Sequence, residues 1–232
     1  MEPSHGRVSQ MEGFFHPEAK KLVKKAVAAV EKQTSAEVVV AVHKIAGDYP
    51  HVGLVGGLVA ALAWLCVFLY YPQPFEYTYL PLEELGAFAL GWLATSSLDP
   101  VRRLLAGTRR KQQAVRAAAR EAFVDMGIGK TKGRTGILVY VAAFERRAEV
   151  VCDVGIDSAA IGAPLADAIK KIERSVRLDR DPERFAEALE SLGPALKQAL
   201  PARHDDENEL SDDQSTKEDD SHEDGDDEEE GA

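Results

Sequence analysis

The feature that most constrains this chain is an uninterrupted apolar run, residues 52–71, VGLVGGLVAALAWLCVFLYY, which contains no charged side chain. At ~1.5 Å of rise per helical residue the run spans ~30 Å, the thickness of the hydrocarbon core of a bilayer. A buried helix of a soluble domain rarely needs so long an uncharged stretch. A cleaved signal peptide is disfavoured because the run begins only at residue 52 and no small-residue cleavage site follows it. We therefore expect residues 52–71 to form transmembrane helix 1.

A second apolar stretch, residues 80–98, is shorter and more polar, so hydropathy alone leaves one or two crossings open. Basic residues flank the apolar block on both sides, which by the positive-inside rule places both flanks in the cytoplasm. They are Lys20, Lys21, Lys24, Lys25, Lys32 and Lys44 before the block, and Arg102, Arg103, Arg109, Arg110 and Lys111 after it. We expect residues 80–98 to be transmembrane helix 2, in a hairpin with both termini cytoplasmic, in an inner or plasma membrane. Small residues at Gly53, Gly57 and Ala61, and at Ala87 and Gly91, favour close helix packing.

The charge of the chain is concentrated in its last segment, residues 204–232. This segment has sixteen Asp and Glu against Lys217, a net charge of −15, which leaves +4 for residues 1–203 out of the total of −11. Leu210 is its one large apolar side chain, so burial cannot offset the entropy of ordering the segment, and we expect a disordered acidic tail. Residues 1–14 are also expected to be disordered. Two interpretations of the tail stay open: a solvated charge run without a specific partner, and a screen for the basic body.

The remaining segments alternate between helix and strand. Pro17 opens an amphipathic helix, and the branched run Ala36–Val42 predicts a strand covered on both faces. Beyond the apolar block the pattern predicts a helix ending near Gly127, two hairpin strands and two further helices. The strands are Thr135–Phe144 and Ala148–Val154, and the helices are Ser158–Ile172 and Pro182–Leu200.

The strand at residues 36–42 has no partner before the apolar block, and a lone strand cannot satisfy its backbone groups. It must therefore join the strands that follow the block. The sequence predicts one α/β domain built from residues 15–45 and 102–200, interrupted by a two-helix transmembrane hairpin. Both parts of one sheet lie on the same side of a membrane, so this domain requires two crossings.

The opening helix, SAEVVVAV (Ser35–Val42) and FVDMGIGKTKGRTGILVYVAAFERRAEVVCDVGID (Phe123–Asp157) resemble the TPM domain, named for a thylakoid lumen protein, a photosystem II assembly protein and a worm receptor modulator. The resemblance covers residues 15–42 and 102–200. It implies a three-layer α/β sheet domain with helices on both faces. It also implies a membrane protein that assists the assembly, repair or modulation of a partner complex. Some members of the family are described as acid phosphatases or divalent-cation binders.

Three carboxylates are candidates for a catalytic or metal site: Asp125 at the end of the long helix, and Asp153 and Asp157 after the third strand. They are expected at one edge of the sheet, where open α/β folds bind ligands. Carboxylate oxygens there would suit Ca²⁺ or Mg²⁺, or metal-assisted hydrolysis of a phosphate ester. The alternative is that Asp157 or Ser158 caps the next helix. Arg134 stands where relatives carry a small polar residue, which weakens the transfer of ligand contacts from the family.

A nucleotide site is not expected. Gly129, Lys130 and Thr131 end like a phosphate-binding loop, but Val124 occupies the position of its first glycine, and a helix precedes a strand here, the reverse of the required order. The six histidines lie outside the strand-rich core, so no Ser-His-Asp arrangement is indicated. A nucleic-acid partner is not expected either. Cys66 and Cys152 show no metal-ligand spacing.

Two classes of function remain. The preferred class is a non-enzymatic scaffold, assembly or modulatory factor that contacts the lipid bilayer and a membrane-protein partner. The alternative is a metal-assisted acid phosphatase. Carboxylates of Asp125, Asp153 and Asp157 within ~6 Å of one another would favour the enzyme.

Overall fold

The computed structural model describes residues 16–71, 77–179 and 181–202. The segments 1–14 and 204–232, for which disorder is expected, lie outside the described residues. The chain divides into two compact units, residues 1–45 with 117–232, and residues 46–116. The elements in chain order are α1 (Pro17–Glu31), β1 (Glu37–His43), α2 (Pro50–Tyr70), α3 (Leu80–Ser97), α4 (Asp99–Leu105), α5 (Thr108–Asp125), β2 (Gly136–Ala142), β3 (Arg147–Cys152), α6 (Ser158–Ile161), α7 (Ala163–Arg174), α8 (Pro182–Glu190) and α9 (Leu192–Leu196).

The first unit contains a three-stranded mixed sheet in the order β1-β2-β3. β1 pairs with β2 in parallel, from Glu37 opposite Gly136 to His43 opposite Ala142. β2 and β3 pair as an antiparallel hairpin. The prediction that the strand before the apolar block joins those after it is therefore confirmed, and the fold is mixed α/β.

The core lies between one face of this sheet and a layer of helices. Val38, Val40 and Val42 of β1 project into it, and apolar residues of α1, α7, α8 and α9 pack against them. On the opposite face Val39 and Leu138 are also buried. Burial on both faces explains why β1 and β2 read as continuous apolar runs rather than as alternating patterns.

Two predicted helices are interrupted in the structure. The segment predicted as one helix, Ser158–Ile172, is interrupted at Gly162, whose positive φ of 68° is incompatible with a continuous helix. A new helix begins after Gly162, with Pro164 in its first turn. A π-helical turn, Ser175–Asp179, then follows α7. The predicted helix Pro182–Leu200 is divided at Ser191 into α8 and α9.

In the second unit, α2 is the one described helix that is long and apolar enough to cross a membrane, with a mean hydropathy of 2.5 in its most apolar window. α3 has 18 residues. It carries Glu83 and Glu84 near its start and ends in Thr95, Ser96 and Ser97, which lowers its hydropathy.

α2 and α3 pack closely through small residues. A side chain at Gly56 would overlap Thr95, and one at Gly57 would lie 2.7 Å from the ring of Phe88. From the other helix, a methyl group at Gly91 would overlap Ala60 and lie 2.6 Å from the carbonyl oxygen of Gly56. Glycines at these positions therefore allow the two backbones to approach, as expected for a small-residue interface.

We expect Gly91→Ala to destabilise the α2–α3 pair by about 1–3 kcal/mol, because the added methyl group has no space between the helices. Gly86→Ala is the matched control, since nothing lies within 4 Å of a side chain there. Both tryptophans of the chain, Trp64 and Trp92, lie in this pair, so intrinsic fluorescence during SDS titration of the detergent-solubilised protein follows its unfolding. Equal midpoints for the two variants would contradict the close approach.

Candidate functional site

Asp153 and Asp157 follow β3, which ends at one edge of the sheet, and Asp125 is the last residue of α5, the helix that precedes β2 in the chain. This edge contains the amino ends of β1 and β2 and the carboxyl end of the antiparallel β3. Ligands in open α/β sheets bind outside the carboxyl ends of parallel strands. Asp153 and Asp157 were expected at the edge where such folds bind ligands, and this expectation is wrong. The carboxyl ends of the parallel strands β1 and β2 are at the opposite edge of the sheet.

Two loops meet at this edge, the one that enters β2 and the one that leaves β3. The amide nitrogen of Gly155 donates to the carbonyl oxygen of Arg134 at 2.9 Å. A side chain at Gly155 would overlap Gly133 and Arg134, so only glycine permits this approach. The contact brings the side chains of Arg134 and Asp153 together.

Asp153 is a buried carboxylate whose oxygens are occupied by the protein itself. Its Oδ2 accepts a hydrogen bond from Nε of Arg134 at 2.9 Å. Its Oδ1 accepts from Nη2 of Arg134 at 3.1 Å and from the amide nitrogen of Val154 at 2.7 Å. This bidentate geometry joins the two loops and satisfies a charge that burial would otherwise make costly.

Arg134 adopts a left-handed backbone with φ of 53°, which is uncommon for a residue with a side chain. Its side chain is 55% exposed, whereas that of Asp153 is 3% exposed. The hydrogen bond to Asp153 and then the charge of that carboxylate raise the pKa of Arg134. The guanidinium therefore stays charged, holds the buried carboxylate and presents its outer side to solvent.

Asp157 acts as a helix cap. Its Oδ1 accepts hydrogen bonds from the amide nitrogens of Ala159 at 3.1 Å and Ala160 at 3.0 Å, at the start of α6. This is the capping role that the sequence left open beside the ligand role.

Asp125 is the last residue of α5 and is exposed, and its carboxylate forms no hydrogen bond or ion pair with any described residue. Within residues 16–71, 77–179 and 181–202, no group of three His, Cys, Asp or Glu side chains is placed to hold a metal ion. The structure thus does not bring Asp125, Asp153 and Asp157 together as a ligand set.

The segment that resembles the end of a phosphate-binding loop has a structural role. Residues Ile128–Lys130 form one 3₁₀ turn, and Ile128 is fully buried. The hydroxyl of Thr131, also buried, accepts a hydrogen bond from the amide nitrogen of Thr135 at 3.1 Å. These contacts shape the entry into β2.

Cys152, the last residue of β3, lies next to Asp153. Burial raises the pKa of its thiol, and a hydrogen bond with Ser158 opposes this effect. The thiolate is therefore scarce at neutral pH, which argues against a nucleophilic role for Cys152.

A separate cavity of about 640 Å³ lies on the same unit, remote in sequence from the candidate aspartates. An ion pair between Arg184 and Asp179, 3.0 Å long, lies in its wall. Its lining mixes charges of both signs: Lys171, Arg174, Ser175, Asp179, Asp181, Glu183, Arg184, Glu187, Ala188 and Ser191.

Comparison with protein-family models and with curated proteins finds no match. Among solved structures, the chain is similar to the NMR structure of the BA42 protein from the psychrophilic bacterium Bizionia argentinensis, with a TM-score of 0.51 and 16% sequence identity. The match covers 88% of this chain and 94% of the other. At this level of identity the similarity extends to the fold alone.

We expect Asp153→Ala to lower the midpoint of thermal unfolding by roughly 3–10 °C, because it leaves the amide of Val154 without its acceptor and separates the two loops. The loss corresponds to about 1–3 kcal/mol. Asp167→Ala is the control, since Lys170 is the one described residue with which the Asp167 carboxylate pairs, at an exposed position. Circular dichroism of the detergent-solubilised protein measures both, and equal midpoints would show that the buried carboxylate is not a structural element.

Proposed function

We propose that this is an integral membrane protein of the TPM domain family, in which α2 and α3 form a transmembrane hairpin. The hairpin anchors the α/β domain at the cytoplasmic face of a plasma or inner membrane. There the domain acts as a scaffold, assembly or modulatory factor for a membrane complex.

The observation that carries this proposal is the outward apolar surface of the two helices. Leu58 is 57% exposed on α2 and Leu90 is 71% exposed on α3, and many of their large neighbours are similarly open. Only 22% of the most apolar window of α2 is buried within the protein. A core helix would have this surface inside, and contiguous apolar surface of this kind marks a membrane or protein contact. The hydrocarbon core of a bilayer is the environment that matches this apolar surface.

The parallel pairing of β1 with β2 supports a second crossing. α2 and α3 both lie between these strands in the chain, yet the strands share one sheet. If α2 crosses, the chain must cross again before β2. α3 is the apolar helix available, and Glu83 and Glu84 would then lie at the level of the headgroups.

A scaffold is favoured over a phosphatase by the state of the three aspartates. Asp153 is held by Arg134, Asp157 caps α6, and Asp125 belongs to no group of three His, Cys, Asp or Glu side chains among the described residues that could hold a metal ion. Metal-assisted hydrolysis needs carboxylates with free oxygens around one ion. What the chain offers instead is an α/β body with the membrane segment inserted between β1 and β2.

The hairpin predicts a definite pattern of cysteine accessibility. In a chain without native cysteines (Cys66→Ser, Cys152→Ser), single cysteines replace Ser4, Gln73 or Ser221. We expect a membrane-impermeant maleimide to label only Gln73→Cys in intact cells and all three after permeabilisation, because only the loop between the helices faces outward. Labelling of Ser221→Cys but not Ser4→Cys in intact cells would show a single crossing. If none of the three cysteines were labelled in intact cells, and carbonate released the protein from the membrane fraction, the protein would not be inserted.

The scaffold and phosphatase hypotheses separate in one paired experiment. Crosslinking in intact membranes, followed by mass spectrometry, is expected to enrich a defined membrane-protein partner with the full chain. The control is a chimera in which residues 46–116 are kept and the α/β domain is replaced by an unrelated soluble domain. It reports the crosslinks that arise from chance proximity in the bilayer. The purified protein should hydrolyse a generic phosphate monoester no faster than the buffer, with or without Mg²⁺ or Ca²⁺. Metal-dependent hydrolysis that Asp153→Asn abolishes, with no partner enriched over the chimera, would favour the enzyme.

A further inference from the structure

α1 has two chemically different sides. Ala19, Val23, Ala26, Val27 and Val30 are buried on one side. At 100° per residue the lysines lie within an arc of about 140° on the other side, and we call this set, Lys20, Lys21, Lys24, Lys25 and Lys32, the lysine face. The two acids of the helix, Glu18 and Glu31, offset only part of the charge of the five lysines, and Oε1 of Glu31 accepts a hydrogen bond from the amide nitrogen of Val38 at 3.2 Å.

Three of the five lysines of the lysine face are open to charged ligands. Lys21, Lys25 and Lys32 are exposed, and none of them forms an ion pair with another described residue. Contacts of α1 with β1, α8 and α9 are on its buried side. A line of ammonium groups with this spacing suits an extended acidic segment.

The acidic C-terminal segment of the same chain begins close to the lysine face. Pro201 forms a β-bridge with Thr34, and the amide nitrogen of Ser35 donates to the carbonyl oxygen of Leu200 at 3.1 Å. The C-terminal segment therefore starts next to the end of α1 that carries Lys32. Of the residues that follow, 204–232 contain sixteen acids and one lysine.

We propose that residues 203–232 dock along the lysine face of α1 as an intramolecular acidic cover. Reach permits it, since α1 is about 22 Å long and a coil of thirty residues has a root-mean-square span of roughly 30 Å. Tethering supplies an effective concentration on the order of 1 mM, so individually weak ion pairs suffice. Salt weakens the docking, because it screens the ion pairs.

Lysine acetylation of the full chain in a neutral detergent tests this docking. We expect deletion of residues 203–232 to speed acetylation of Lys21, Lys25 and Lys32 by about twofold or more at low salt, since a millimolar site would be occupied about half of the time. Lys130, Lys170 and Lys171, exposed lysines outside α1, serve as internal controls and should change little. A full chain with the tail acids replaced by their amides should behave like the deletion, and ~0.5 M salt should remove the difference.

Carbodiimide crosslinking of a mixture of isotope-labelled and unlabelled protein identifies the source of the acids. Crosslinks from the tail to α1 lysines within one isotope form are expected. When all five lysines of the lysine face are replaced by Gln, these crosslinks should be lost and should not move to lysines outside α1. Uniform changes at all lysines after deletion would overturn the docking in favour of general screening. Crosslinks mainly between isotope forms would overturn it in favour of the tail of a second copy.

Discussion

The parallel ladder between β1 and β2 is the interaction on which the rest of this structure depends. It joins segments separated by the whole of α2, α3, α4 and α5, and Thr135 extends it by donating its hydroxyl to the carbonyl oxygen of Ser35 across 100 positions of sequence. Loop closure over such a distance costs entropy that grows only with the logarithm of length. Seven register pairs and a core on one face of the sheet offset it. The same pairing allows only an even number of crossings between the strands.

The edge of the sheet illustrates how one set of residues can suggest chemistry and perform a structural task. A carboxylate that is nearly inaccessible to water needs a counter-charge, and Arg134 provides it with two hydrogen bonds. The left-handed backbone of Arg134 and the close approach of Gly155 are the local features that bring the guanidinium into place. Arg134 is thus matched to Asp153 within this chain.

Charge is distributed so that the two ends of the α/β domain complement each other. The first helix is rich in lysine, the last described residues return to its end, and the segment after them is strongly acidic. A body of net charge +4 beside a membrane whose cytoplasmic leaflet is anionic would be attracted to lipid. An attached segment of net charge −15 reverses the sign of the total charge, to −11.

Periodicity and length alone determined most of the elements: the apolar run that became α2, the strand Ala36–Val42, the hairpin of β2 and β3, and the amphipathic helices on either side. These signals are local and strong, because each reflects how one segment buries its own apolar side chains. The pairing of β1 with β2 also followed from sequence, since a lone strand cannot satisfy its backbone. The site did not follow in the same way. The breaks at Gly162 and Ser191 and the ion pair of Arg134 with Asp153 depend on backbone angles and on loops far apart in the chain. Only tertiary structure decides which carboxylate is buried, and burial decides whether it holds a ligand or a neighbouring arginine.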